Sequence, residues 1–218
     1  MVLCEIDNFG NFLSTWIFIG VSTWAATMMM SGLVFLKYYS KPTYETWRYK
    51  TNPEYPKAPY VGDEVVQMSK GVMAGAICPA IALYLARHGL AKGYCGNGPN
   101  DEYGWMAHLF QFFVIWLGSD LYQFLYHRFG HMTEIGWAQH RHHHVFYNPT
   151  PFSVIADEYI DQFVRAAPLC LIPMIMPTNM DLLFGIYATF FYSYGIYLHW
   201  GFELEYPDAH HPIINTAF

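Results

Sequence analysis

Residues 105–144 read WMAHLFQFFVIWLGSDLYQFLYHRFGHMTEIGWAQHRHHH, and this stretch decides how the chain is built. From Trp105 to Tyr126 the only carboxylate is Asp120, and the run is long enough to cross the ~30 Å hydrocarbon layer of a bilayer as a helix. Histidine then crowds in. His127, His131, His140, His142, His143 and His144 are six of the chain's eleven histidines. In His127-Arg128-Phe129-Gly130-His131 a separation of four puts both imidazoles on one helical face, one turn apart, where two nitrogens reach one metal ion. His140-Arg141-His142-His143-His144 contains the pattern H-x-x-H-H. On a helix His140 shares a face with His143 or His144, while the adjacent His143 and His144 diverge by about 100°. Adjacent histidines therefore suit two metal ions, or one metal and a supporting imidazole. Asp120, seven residues before His127 on the same face, is placed to accept the spare N–H of a ligating imidazole and to lie covered rather than exposed.

An all-nitrogen donor set suits Fe, Zn, Cu or Ni. Structural zinc closes with four ligands, often thiolates. Here the imidazoles are too many for one tetrahedral ion and no cysteine is near, so two metals are the economical reading. Redox-active iron explains why such a site sits at a lipid surface. His142 reads as an exposed or supporting residue, and the lone His88 and His108 as interfacial or packing residues.

Composition agrees with a chain that lives in lipid. Of its 218 residues 54% are hydrophobic, 19% aromatic and only 13% charged, against about a quarter charged in soluble domains. A net charge of -6 argues against nucleic acid, which demands clustered basic residues. Cys4, Cys78, Cys95 and Cys170 are scattered, which reads against a disulfide framework and makes Cys95 an ordinary loop residue. The first residues lack a basic n-region and a cleavage site, so the first apolar segment reads as a retained anchor.

Around the histidine stretch the apolar runs set a topology. Residues 12–36 form a first span. Residues 37–70 form a polar loop broken by Pro42, Pro53, Pro56 and Pro59. That loop carries Lys37, Lys41, Arg48, Lys50, Lys57 and Lys70, six of eleven basic residues, and faces the cytosol by the positive-inside rule. Residues 71–85 form a second span, 92–102 a loop on the far side, and 105–126 the third span. Residues 163–176, kinked by Pro168 and Pro173, and 182–198 follow, with a turn at 177–181. His199 then arrives on the cytosolic side with the main histidine groups. The expected fold is all-α: a polytopic membrane protein with about four to five transmembrane helices and a cytosolic histidine-rich metal-binding cap. Residues 1–218 make one membrane domain, with an N-terminal membrane region (1–104) and a histidine-box region (105–218).

These boxes resemble the sterol desaturase and fatty acid hydroxylase superfamily, and the pattern is closest to the sterol C-5 desaturases. The likeness extends to residues 44–53, to Asn148-Pro149-Thr150-Pro151-Phe152, and to the run from Trp200 to Phe218. The resemblance implies that His127 and His131 match the first box, His140, His143 and His144 the second, and His199 the isolated histidine of a site for two iron ions. It implies electrons from NAD(P)H through cytochrome b5, a lipid or sterol substrate, and the endoplasmic reticulum membrane. The family's final H-x-x-H-H has no counterpart before Phe218, and His210-His211 followed by Pro212 does not restore it. On that ground the chain reads as cut off before the third box and inactive as it stands. Ile155 and Glu158 also stand where the C-5 desaturases carry histidines. That change points to an alternative, hydroxylation of a terpenoid or other secondary metabolite. A metal-binding or transport membrane protein is the remaining alternative. Transporters, however, place ionisable ligands near the midplane, whereas here they flank the spans.

Overall fold

The computed structural model describes residues 11–43, 47 and 49–202. Helix α1 spans Phe12–Tyr38. Asn11 caps its start, the side chain accepting from the Ser14 amide at 2.9 Å, which satisfies one of the free N–H groups of the first turn. Lys37 sits in its last turn, where a cation meets the negative end of the helix dipole. Its inward positions are small or polar, Thr15, Gly20, Thr27 and Ser31, with Ile19. Its exposed positions are Leu13, Ile17, Val21, Trp24, Met29, Leu33 and Leu36. Small residues inside and large apolar ones outside invert the usual pattern in water and match a helix surrounded by lipid.

Helices α2 (Ala58–Gly75) and α3 (Ile77–Arg87) follow nearly without a break. By length and composition Phe12–Tyr38 and Ala58–Arg87 are the two helices long and apolar enough to cross a membrane. The polar loop expected over 37–70 is therefore shorter than the sequence indicated. Pro59 does not break structure but occupies the first turn of α2, where its missing N–H costs nothing. Helix α4 (Trp105–Met132) buries Gln111, Ile115 and Ser119 and exposes Phe110, Phe113, Leu117, Leu121, Phe124 and Leu125, the same inverted pattern as α1. The remaining helices are α5 (Glu134–His140), α6 (Tyr159–Arg165), α7 (Pro168–Ile175), α8 (Met180–Ile186) and α9 (Tyr192–His199). A π-helical turn, Tyr187–Phe191, joins α8 to α9. The turn expected at 177–181 is instead strand β2 (Thr178–Asn179) followed by the start of α8, with Asn179 capping through the Leu182 amide at 2.9 Å.

The bundle has two distinct ends. At one, β2 pairs in parallel with β1 (Gly93–Tyr94), and the start of α1 meets the end of α3 through Phe12 against Tyr84. Cys95, read above as a plain loop residue, lies at this end and is disulfide-bonded. Cys78 and Cys170 are free, so its partner lies outside the described residues. At the other end Lys50 bridges to Phe202, Tyr39 donates its hydroxyl to the Trp200 carbonyl at 2.7 Å, and Ser31 reaches the Pro151 carbonyl at 2.8 Å. One apolar cluster, including Ile19, Leu83, Ile115 and Leu183, packs the bundle. A second, including Met68, Val72, Phe152, Ile155 and Ile196, ties α2 and α9 to the segment that follows the histidines.

Candidate metal centre

Helix α4 delivers His127 and His131 in its last turns, and a tight reversal brings α5 back against it. Thr133 makes the corner, its hydroxyl accepting from the Gly136 amide at 3.0 Å. Gly130 makes the close approach possible. A Cβ there would stand 3.0 Å from both Cβ and Cγ of His140, tighter than side chains tolerate. The glycine inside the first histidine pair is thus what lets the second group lie against it.

His140 ends α5, and His143–Val145 forms a separate 3₁₀ turn, so the H-x-x-H-H run is not one continuous helix. The neighbours His143 and His144 point to different places. Nε2 of His127 lies 3.0 Å from Nε2 of His131, and Nε2 of His144 lies 3.2 Å from Nε2 of His140. One ligand atom from each of these four lies within 4.8 Å of all the others. His143 instead faces His199 from α9, with Nε2 to Nε2 at 3.2 Å. The six histidines thus form a group of four and an adjoining pair, the rings of His143 and His144 being 5.5 Å apart. His142 is exposed, His88 is exposed with Nδ1 on the Tyr84 carbonyl, and His108 packs beside the Tyr94 ring at the opposite end. His210 and His211 lie outside the described residues, as do Cys4 and most of the family-like stretches at 44–53 and 200–218.

Carboxylates behind the imidazoles fix their protons. His140 Nδ1 is 3.2 Å from Asp161 Oδ2, and Tyr126 donates to the other Asp161 oxygen at 2.6 Å. His143 Nδ1 is 2.9 Å from Asp157 Oδ1, and Arg165 pairs with the other Asp157 oxygen at 2.5 Å. His199 Nδ1 meets the Gly195 carbonyl at 2.8 Å. A carboxylate or carbonyl can only accept, so Nδ1 carries the proton in each case and Nε2 keeps its lone pair. His143 and His199 then hold two lone pairs 3.2 Å apart, a repulsive arrangement unless a cation lies between them. Protonation does not supply that cation. Burial, then His143, pushes His199 down to about 4. Burial, then His140 and His131, pushes His127 down to about 3. Burial, then His143, pushes His144 down to about 4. Burial opposes ionisation of Asp157, but Arg165 and then His143 override it and hold its carboxyl well below the usual range. Neutral imidazoles backed by an ionised carboxylate are the donor set that a transition metal takes.

Asp120, expected to lie covered beside an imidazole, is exposed. The rise of two turns leaves it short of the rings, and the carboxylates that reach them come from another helix. Asp157 and Asp161 were missed because they sit 14 and 18 residues beyond His143 in sequence; their signal was the i, i+4 spacing of two acids with Arg165 four residues on. Glu158, which stands where the C-5 desaturases have histidine, caps α6 through the Tyr159 amide at 2.9 Å. Ile155 packs in the second apolar cluster.

A cavity of about 1090 Å³ opens beneath the rings, at the upper end of small-molecule pockets. His127, His143, His144 and His199 form its roof, and Phe18, Ala26, Leu169, Phe184 and Phe191 are among its apolar walls.

Residues 112–217 match the fatty acid hydroxylase family. The chain is 26% identical over 206 residues to Delta(7)-sterol 5(6)-desaturase ERG3A of Gibberella zeae, covering 94% of this chain and 54% of that protein. It is 29% identical over 142 residues to lathosterol oxidase of Mus musculus, 64% of this chain and 46% of that protein, and 26% identical over the same length to lathosterol oxidase of Rattus norvegicus. The chain spans about half the length of the curated relatives it matches. No solved structure matches it.

Proposed function

We propose, starting from the chain's place in the fatty acid hydroxylase superfamily, that it is a membrane-bound oxidoreductase that uses O2 and two iron ions to desaturate or hydroxylate a lipid, most plausibly a sterol or sterol-like molecule. The observation that carries this reading is the set of Nε2 lone pairs converging at the roof of an apolar cavity. His127, His131, His140 and His144 would hold one iron. His143 and His199 would contribute to the second. Iron bound there would supply activation of O2 and removal of hydrogen from an unactivated C–H bond.

The chain's own residues do the rest. Asp157 and Asp161 keep the Nδ1 protons of His143 and His140 in place and raise the basicity of the ligating nitrogens. Arg165 keeps Asp157 ionised. Trp137, whose ring lies 5.7 Å from His131 and 5.6 Å from His144, shields that side from water. The apolar walls accept a hydrophobic body and leave its reacting carbon under the rings.

Both regions, 1–104 and 105–218, act as one membrane unit in this reading, with four to five passes and the histidine end in the cytosol, where cytochrome b5 and NAD(P)H would deliver electrons. The disulfide at Cys95 supports the same sidedness, because it lies at the opposite end and disulfides persist in oxidising compartments such as the lumen of the endoplasmic reticulum. Oxidation of a terpenoid or other secondary metabolite is the second reading, favoured by Glu158 and Ile155. Lipid profiling of a deletion strain tests the proposal: a saturated or unhydroxylated lipid should accumulate and disappear on complementation with the full-length gene in air. An unchanged profile, or rescue by a His140→Ala, His143→Ala variant, contradicts it.

A further inference from the structure

We propose that the cavity recognises a lipid carrying a hydroxyl group, which it holds at the depth of Asp120 and Tyr192, about two helical turns below the histidines. This rests on the reading of the cavity as a substrate chamber.

Two helices that supply histidines repeat one spacing. Asp120 precedes His127 on α4 by seven residues, and Tyr192 precedes His199 on α9 by seven. At 1.5 Å per residue each lies about 10 Å deeper than its histidine on the same face. Both line the cavity. Among the described residues neither the Asp120 carboxylate nor the Tyr192 hydroxyl has a hydrogen-bond or ion-pair partner. The neighbouring phenols differ. Tyr187 donates to Ser119 at 2.9 Å, Tyr122 to the Val164 carbonyl at 2.8 Å, and Tyr126 to Asp161 at 2.6 Å. Tyr192 alone of these four keeps its hydroxyl for the cavity.

Phe124, Ala166, Ala188 and Phe191 surround this depth. An unpaired carboxylate or phenol in such surroundings is costly, and a ligand that pairs with it recovers that cost. The chemistry selects the ligand. A hydrocarbon would leave both groups unpaired. A free fatty acid would set a second carboxylate against Asp120. A hydroxyl donates to Asp120 and accepts from Tyr192, so a neutral alcohol suits both. The cavity then orients its lipid by the hydroxyl, with the carbon that reacts about 10 Å away, under the roof.

The test uses two matched probe pairs, cholestanol with cholestane and hexadecanol with hexadecane, bound to the purified chain in detergent. In at least one pair the alcohol should bind about tenfold tighter or more, the range of a hydrogen bond to a charged group. Tyr192→Phe should reduce that margin about fivefold, and Asp120→Leu should remove it. Tyr192→Phe deletes one oxygen at a cavity wall, so it remains informative if Asp120→Leu folds poorly. Equal binding of alcohol and hydrocarbon in both pairs, no binding of either alcohol, or a full margin in Tyr192→Phe overturns the proposal. Iron is assayed in the same samples. Wild-type protein without iron that keeps the alcohol margin counts against the oxidoreductase reading and supports this one.

Discussion

His143 and His144 are adjacent in sequence, yet one turns to His199 and the other to His140. That divergence was legible from the 100° step between neighbours, although the residues lie on a 3₁₀ turn rather than on the helix the spacing indicated. The carboxylates behind the rings were not legible, because hydrogen bonds between α5 and α6 depend on packing that no local spacing encodes. Asp120 was chosen for its helical face, but its side chain is too far down α4. Two predictions follow at this scale. Asp157→Asn should weaken iron binding about ten- to hundredfold, the usual cost of losing a carboxylate behind a ligating histidine, and Asp161→Asn should act likewise. Metal titration of the stripped protein measures both, and unchanged affinity would remove the assigned role. Gly130→Ala should cost about 1–3 kcal/mol and displace His140, since the new methyl would stand 3.0 Å from its ring carbon. Thermal unfolding together with iron content reads this, and a variant with normal values for both would contradict the packing argument.

At the level of elements, the long apolar runs of α1 and α4 were plain in the sequence, and their small-inside, large-outside faces explain why. The start of α2 was misread because prolines that break a helix interior are compatible with its first turn. The π turn at Tyr187–Phe191 has no sequence signature, yet it sets the face on which α9 presents Tyr192 and His199. A π turn is an α-helix with one extra residue. Deleting Thr189, which is exposed within it, should therefore relax the turn to α-helix and leave His199 facing His143. Deleting Ser193, exposed in α9, should rotate His199 by about 100° and empty the second metal position. Iron content of the two deletions compares them directly. Equal loss in both would show that the turn does not act as an insertion.

For the molecule as a whole, the histidines gather at one end and the β1–β2 pair and Cys95 at the other. The sequence indicated this polarity through its basic loop but gave Cys95 no partner, because pairing depends on how distant segments meet. In sealed microsomes a maleimide that does not cross membranes should label a cysteine placed at exposed His142. It should not label one placed at exposed Gly89 unless the membrane is opened. Labelling of Gly89→Cys in sealed vesicles would reverse the proposed sidedness. The central claim, a histidine-held iron pair, is tested most directly by counting metal in the purified chain by mass spectrometry, beside His131→Ala and His199→Ala. The account predicts about two irons per wild-type chain with little zinc. Each variant should lose about one, from the group of four in the first case and from the adjoining pair in the second. Wild-type protein carrying zinc alone or no metal, or variants that keep the full complement of iron, would contradict it.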